Sequence, residues 1–247
     1  MNLQTELAPH HKSGLLLRNP VITAAGTFGY GIEYARIAEI QRLGAIICKG
    51  TTLHARGGNA QPRTVEASSG MLNAIGLQNP GVRIVIKRYA SIWETWQVPV
   101  VVNIAGETSS GDARPTALAA ALAGADAISL INTITGMLID IETRQPVLAN
   151  GTGGLSGPAV KPIALRMVYE VARELRSSYP HVPIIGIGGI ANTKDALEFI
   201  MAGASAIQIG TVNFVNPRAG VEIIAGIEEF LRREGVEDIG EIVGAAL

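Results

Sequence analysis

The chain has 247 residues, 47% of them hydrophobic and only 17% charged, against roughly 25% charged in an average soluble protein. That balance, with 29 glycines, rules out disorder and coiled coil and points to a large core with many tight turns. The net charge of −1 disfavours a nucleic-acid surface or a polybasic membrane anchor, and a single cysteine excludes a disulfide framework and any cysteine-based metal site.

Met1 to Lys12 shows no basic segment followed by an apolar run, so it does not read as a signal peptide. The longest apolar stretch, Ala117 to Ile131, is interrupted by Asp126 and is too short to span a bilayer. The expectation is a cytoplasmic protein forming one domain over residues 1–247.

In chain order, a pair of short segments, Leu3–Leu7 and Gly14–Leu17, reads as a small hairpin. Strands rich in Val and Ile follow near Val21–Ala25, Ala45–Lys49, Val98–Ile104, Ala127–Ile131, Pro183–Ile187 and Ala206–Ile209. They are apolar throughout, as strands covered on both faces must be. The clearest helical periods are Pro158–Leu175, Thr193–Ala202 and Ala219–Glu234, the second with a start signal at Asn192. Two long segments, Thr51–Gln97 and Thr133–Pro180, each carry a helix and an extended excursion, and are expected to use up length without adding strands. This alternation predicts an α/β fold of the (β/α) barrel type.

An internal echo supports repeated units. Leu43-Gly44-Ala45-Ile46, Gly124-Ala125-Asp126-Ala127-Ile128 and Gly203-Ala204-Ser205-Ala206-Ile207 share one logic of helix end, glycine and strand start, recurring about every 80 residues. Each glycine is expected to close its helix in a left-handed conformation. A full barrel needs eight strands and six are readable, so the barrel reads as incomplete.

Ligands of such barrels bind at the carboxyl ends of the strands. Those exits read Ala25-Gly26-Thr27, Lys49-Gly50-Thr51-Thr52, Asn103-Ile104-Ala105-Gly106, Asn132-Thr133, Gly188-Gly189 and Gly210-Thr211. The last two are glycine-rich and lead toward helices, which suits a phosphate cradle as well as plain tight turns. No Asp, Glu or His stands at a strand tip, and the four histidines show no ligand spacing, so metal-assisted and carboxylate-pair chemistry are poorly supported. Asn and Thr among glycines suit a flat heterocycle, and redox chemistry would need a bound cofactor. Lys49 ends an apolar strand, either as a snorkelling residue or as a cation at a ligand. Strand alternation turns its neighbour Cys48 the other way, toward a helix. Ala67 to Val82 holds no charge at all, which suits a lid over a binding site better than a surface connector.

Several segments closely resemble dihydroorotate dehydrogenases of the NAD-linked class 1 (type B) kind. They are AAGTFGYGIEY (Ala24–Tyr34), CKGTTLHARGGNAQPR (Cys48–Arg63), SGMLNAIGLQNPG (Ser69–Gly81), Ile131–Pro162, IIGIGGIAN (Ile184–Asn192) and AGASAIQIGTVNF (Ala202–Phe214). The resemblance implies flavin-dependent oxidation of dihydroorotate to orotate in pyrimidine (UMP) biosynthesis. It implies FMN held by Ala25, Gly26, Lys49, Gly50, Asn103, Ile131, Gly157, Gly188, Gly189, Gly210 and Thr211. Family members often carry Ser where Ala25 stands. The pyrimidine would lie among Lys49, the loop Asn73, Ala74, Ile75, Gly76 and Leu77, and Asn132 with Thr133, with Lys49 pairing the substrate carboxylate. The implied assembly is a homodimer with a partner subunit carrying FAD and an iron–sulfur cluster, and NAD as final acceptor.

One departure stands out. Where the family has a further strand ending in an Asn-x-Ser-Cys-Pro-Asn motif, and then a strand with a flavin-facing lysine, Thr108-Ser109-Ser110-Gly111-Asp112 runs straight toward the helix before Ala127. About two βα units, on the order of 60 residues, are missing near residues 108–112. The cysteine of that motif is the family's base, so the resemblance leaves no catalytic residue in place. The rival expectation is a catalytically impaired FMN- and pyrimidine-binding remnant. A phosphate-binding barrel isomerase or lyase is a third reading, disfavoured by the exits' lack of carboxylate or histidine.

Overall fold

A computed structural model describes residues 1–103 and 113–247, with backbone alone for 113–116. The hairpin β1 (Thr5–Glu6) and β2 (Leu16–Leu17) pairs antiparallel at the start of the chain. The central sheet is parallel: β3 (Val21–Thr23), β4 (Ile46–Ile47), β7 (Val100–Val101), β8 (Ile128–Leu130), β13 (Ile184–Ile187) and β14 (Ala206–Ile209). Between these come β5 (Thr64–Ala67), β6 (Gly70–Asn73), β9 (Ile134–Gly136), β10 (Ile139–Asp140), β11 (Gln145–Pro146) and β12 (Gly153–Ser156).

Strands β3, β14, β13 and β8 form one ladder, with Ile22 opposite Gln208, Ile187 opposite Gln208 and Gly186 opposite Leu130. Strands β4 and β7 form a second, joined to β3 by the Ile22–Ala45 bridge and by the Ile47 N–H donating to Thr23 Oγ1 at 3.0 Å. The spatial order is therefore β7, β4, β3, β14, β13, β8. These are the six strands the sequence predicts. Among the described residues β7 pairs only with β4 and β8 only with β13, so the barrel is not closed. The expected junction at 108–112 and the exit residues 104–106 lie outside the described residues.

The helices cover the outer face of the sheet. The α1 helix (Val82–Trp93) lies over β4 and β7, where Cys48, Tyr30 and Val85 are buried together. Helix α2 (Ala113–Leu122) meets β8, α3 (Lys161–Ser178) meets β13 and β8, α4 (Thr193–Met201) meets β14, and α6 (Ala219–Glu234) meets β3. The one-turn α5 (Val212–Val215) precedes α6. On α3 the buried residues Ala164, Val168, Val171, Ala172 and Leu175 recur at helical spacing. Each Val or Leu buried this way contributes roughly 1.5–3 kcal/mol before the entropy cost is counted.

On α6 the buried stripe runs from Ala219 to Leu231, and Gly235 ends the helix in the left-handed region at φ 71°. The expected glycine echo holds at Gly124 and Gly203, both with positive φ. It fails at Gly44, which is not left-handed: a Cβ there would lie 2.1 Å from the Asn19 carbonyl oxygen, so close backbone approach is what demands glycine.

Residues on the inner face, Ile22, Ala45, Ile185 and Ala206, are buried together with Leu7 and Leu17. The hairpin is thus outside the ring of strands, as predicted, yet its leucines plug the interior. The two long excursions do add strands, away from the ring. They supply an antiparallel sheet in the order β5-β6-β12-β9 and the small pair β10-β11.

Candidate active site

The parallel order brings the strand exits into one arc. At β7, the Asn103 carbonyl accepts the Thr51 N–H at 2.9 Å, which ties its exit to that of β4, where Lys49 is half-buried and Gly50 is buried. Lys49 donates its own N–H to the Gly29 carbonyl at 2.8 Å, linking β4 to the loop after β3. Ala25 and Gly26 in that loop are exposed. Next comes Gly210 at the end of β14, whose Cβ position lies 3.3 Å from Ala24 and 3.6 Å from Thr27.

Thr211 donates its hydroxyl to Ser156 Oγ at 2.9 Å, which brings Gly157 alongside. A Cβ on Gly157 would sit 3.6 Å from the Thr211 methyl, and one on Gly189 would sit 2.8 Å from the Gly157 carbonyl oxygen. Gly188 adopts φ 137°, and its Cβ position lies 2.4 Å from the Ala164 Cβ and 3.6 Å from Ile131. Only glycine fits there. Ile131 closes the arc by donating its N–H to the Ile187 carbonyl at 3.1 Å.

The β6-β12-β9 sheet carries the remaining predicted residues. Asn73 donates to the Gly154 carbonyl at 3.3 Å, and a Cβ on Gly154 would strike Thr133, so Asn73 and Thr133 flank one glycine. Asn132 is exposed, and its side-chain oxygen accepts the Thr133 N–H at 2.7 Å. Residues Ala74 to Gly76 are half-buried and Leu77 is 38% exposed. This uncharged stretch is tied down rather than free at its ends. Ala74 donates to Arg63, Asn59 donates to Ile75, and Asn79 is buried while bonding Thr52, Leu77 and Gly81. These bonds tie the expected lid, as a roof segment, to Arg63, Asn59 and Thr52.

Burial pushes the Lys49 ammonium below its usual value, the Arg63 charge adds to this, and Glu33 partly offsets it. Among the described residues no hydrogen bond or ion pair reaches that ammonium. Neither Arg63 nor Ser156 is singled out by the sequence, although Arg63 ends one quoted motif and Ser156 lies inside another. Glu33 was missed too; its carboxylate turns back to accept the Tyr30 N–H at 3.1 Å.

Cys48 is fully buried on the opposite side, as alternation requires, and burial raises its thiol to about 12. No group of three or more metal-ligating side chains occurs among the described residues. His10 and His11 are exposed, and His10 meets the His181 ring edge-on at 4.5 Å. No helix among the described residues is long and apolar enough to cross a membrane.

Parallel strands covered by helices, their exits carrying glycine turns, amides and one partly desolvated lysine, define an α/β barrel-type protein. The chain belongs to the dihydroorotate dehydrogenase family, a family of flavin-dependent oxidoreductases, whose model matches residues 10–114 and 90–231. It is 42% identical over 308 aligned positions to the dihydroorotate dehydrogenase B (NAD(+)) catalytic subunit of Thermoanaerobacter pseudethanolicus, covering 99% of both chains. The subunit of the same name from Desulforamulus reducens is 44% identical over 292 positions, 92% of this chain and 94% of that one.

The crystal structure of DHODH in complex with ferulenol from Eimeria tenella superposes with a TM-score of 0.78. That match covers 99% of this chain and 88% of the other at 17% identity, which speaks for the fold. An alignment of 308 positions against 247 residues leaves at least 61 positions without a counterpart here. The family model matches in two pieces that overlap between residues 90 and 114.

Proposed function

We propose that the barrel mouth holds FMN with dihydroorotate stacked against it, and that the chain oxidises dihydroorotate to orotate as its relatives' names describe. The observation that carries this reading is the cradle. Among the described residues, the backbone N–H groups of Gly157, Gly189, Gly210 and Thr211 are given no protein acceptor, although Gly157 is buried and the others are half-buried, while the Gly188 N–H faces Gln208 in the β13–β14 ladder. Buried backbone donors are nearly always paired, so a cluster of unused ones calls for an anionic acceptor such as the FMN phosphate. Ala25, Gly26, Lys49, Gly50, Asn103 and Ile131 line the rest of the arc and would hold the remainder of the cofactor.

When bound, FMN supplies the acceptor for the hydride leaving C6 of the substrate. The chain's own residues do the rest. Lys49 pairs the substrate carboxylate, because a half-desolvated ammonium without a protein partner gains most from a charged acceptor. Asn73, Asn132 and Thr133 read the N–H and C=O edges of the ring, and the roof from Ala74 to Leu77 keeps water off it.

A proton must also leave C5. Cys48 cannot take it, being buried on the wrong face with a thiol raised to about 12. No other cysteine exists in the chain. With no family cysteine to act as the base, turnover is expected to be slower by about 10²- to 10⁴-fold, the usual cost of losing a positioned base.

The missing family cysteine favours a second reading, a binding protein without turnover. Anaerobic mixing of the FMN-loaded protein with dihydroorotate separates the two. Slow but complete bleaching of the flavin absorbance supports the oxidation, whereas a yellow protein that stays yellow supports binding alone. The rest of the reading is a single cytoplasmic domain, dimeric through this subunit, that passes electrons to NAD through an FAD and iron–sulfur partner. The relatives' designation as catalytic subunits supports that separate partner.

A further inference from the structure

Two glycine turns of the cradle touch each other. A Cβ on Gly189 would lie 2.8 Å from the Gly157 carbonyl oxygen and 2.9 Å from both the Cβ and the backbone nitrogen of Lys161. The same two segments are joined by a polar network. Lys161, the first residue of α3, places Nζ 2.6 Å from Asp195 Oδ1 and 2.8 Å from Glu198 Oε2. The second Asp195 oxygen accepts the N–H of Ala191, two residues beyond Gly189, at 2.9 Å. Asp195 is only 7% exposed, and its own N–H is held by the Asn192 side chain at 3.1 Å.

Burying a carboxylate is costly unless it is fully used, and Asp195 is fully used. The network joins the first residue of α3 to the first two turns of α4, and its buried member Asp195 sits in the first turn, whereas the two helices also adhere through apolar residues such as Val168, Val171, Leu197 and Ile200. What it fixes is where the two turns begin. The Lys161 ammonium is spent on two carboxylates, so it is not free to serve as an anion ligand.

We propose that Lys161 and Asp195, with Glu198 in support, are positioning residues that set the separation of the Gly157 and Gly188–Gly189 turns. They thereby align the unused N–H donors for a phosphate monoester. This rests on the FMN reading above. Backbone donors cannot re-aim individually, so their spacing is the property that recognises a phosphate, and a loose support loosens the whole cradle.

Equilibrium titration of FMN and of riboflavin, followed by flavin fluorescence, tests the idea, because riboflavin lacks only the phosphate. Wild-type protein is expected to bind FMN much more tightly. Lys161→Met and Asp195→Asn are each expected to lose about 10- to 100-fold in FMN affinity, as support-shell changes do elsewhere, with riboflavin affinity nearly unchanged. Lys161→Arg, which keeps charge and donors, should restore most of the loss. Equal weakening toward both flavins would mean a merely structural role and overturn the proposal.

Unchanged FMN affinity in Asp195→Asn would overturn it too, since the buried carboxylate would then not be what sets the spacing of the turns. If neither variant folds, Glu198→Gln takes their place, with a smaller selective loss of FMN expected and the same contrary outcomes. A wild-type protein that binds neither flavin overturns the FMN reading and this inference with it. A variant result alone overturns only the positioning role.

Discussion

Lys49 carries its charge to the end of an apolar strand where water reaches only part of it. That desolvation, with Arg63 near by, lowers its proton affinity. An anionic ligand reverses the effect by favouring the charged form. Lys49→Met is therefore expected to weaken orotate binding by about 10- to 100-fold, the range for a charge-assisted hydrogen bond. The pH dependence has a definite sign. Only the protonated ammonium pairs the carboxylate, so affinity is level at low pH and falls as pH rises through the lowered value. That fall should begin below the usual lysine range and be absent in Lys49→Met, both read by calorimetric titration. The placement of Lys49 and Cys48 was legible from strand alternation alone. The approach of Arg63 was not, because it depends on a loop that returns to the strand end from fourteen residues further along the chain.

At the scale of elements, local signals were read well wherever they are local. Asn192 was recognised as a helix start, and its side chain accepts the Asp195 N–H at 3.1 Å. Asn192→Ala is expected to cost about 1 kcal/mol, read as a lower urea midpoint with an unchanged slope. The parallel strands were equally plain, because burial on both faces leaves continuous Val and Ile runs. The roof sheet was not legible. Its strands pair β6 with β12 across more than eighty residues, with Asn73 opposite Gly154 and Leu72 opposite Leu155. Segments such as GMLN and GGLS are short and glycine-bearing, with no alternation to mark them. Gly44 shows the same limit: the repeat pattern identified the glycine, while its reason, the Asn19 carbonyl, is a tertiary contact.

At the scale of the molecule, the six-strand count read from sequence, the open ladder and the 61 unmatched positions describe one fact from three sides. A barrel short of two units exposes two strand edges, β7 and β8, whose outer backbone groups have no described ladder partner. Hydrogen exchange followed by mass spectrometry should find the amides of 98–103 and 128–131 exchanging faster than those of 184–187 and 206–209, which lie in the middle of the sheet. Equal protection would mean that β7 and β8 pair with each other and the ring closes.

If the strand exits form one mouth for a phosphorylated flavin, equilibrium titration of FMN into the purified, flavin-stripped protein should show it. One FMN is expected to bind per chain at low-micromolar or tighter affinity (about −8 kcal/mol or better). Orotate is expected to shift the spectrum of the bound flavin, and Lys49→Met to abolish that shift. Failure to bind FMN at a concentration of about 100 μM, by a protein that is folded, would contradict the single flavin mouth.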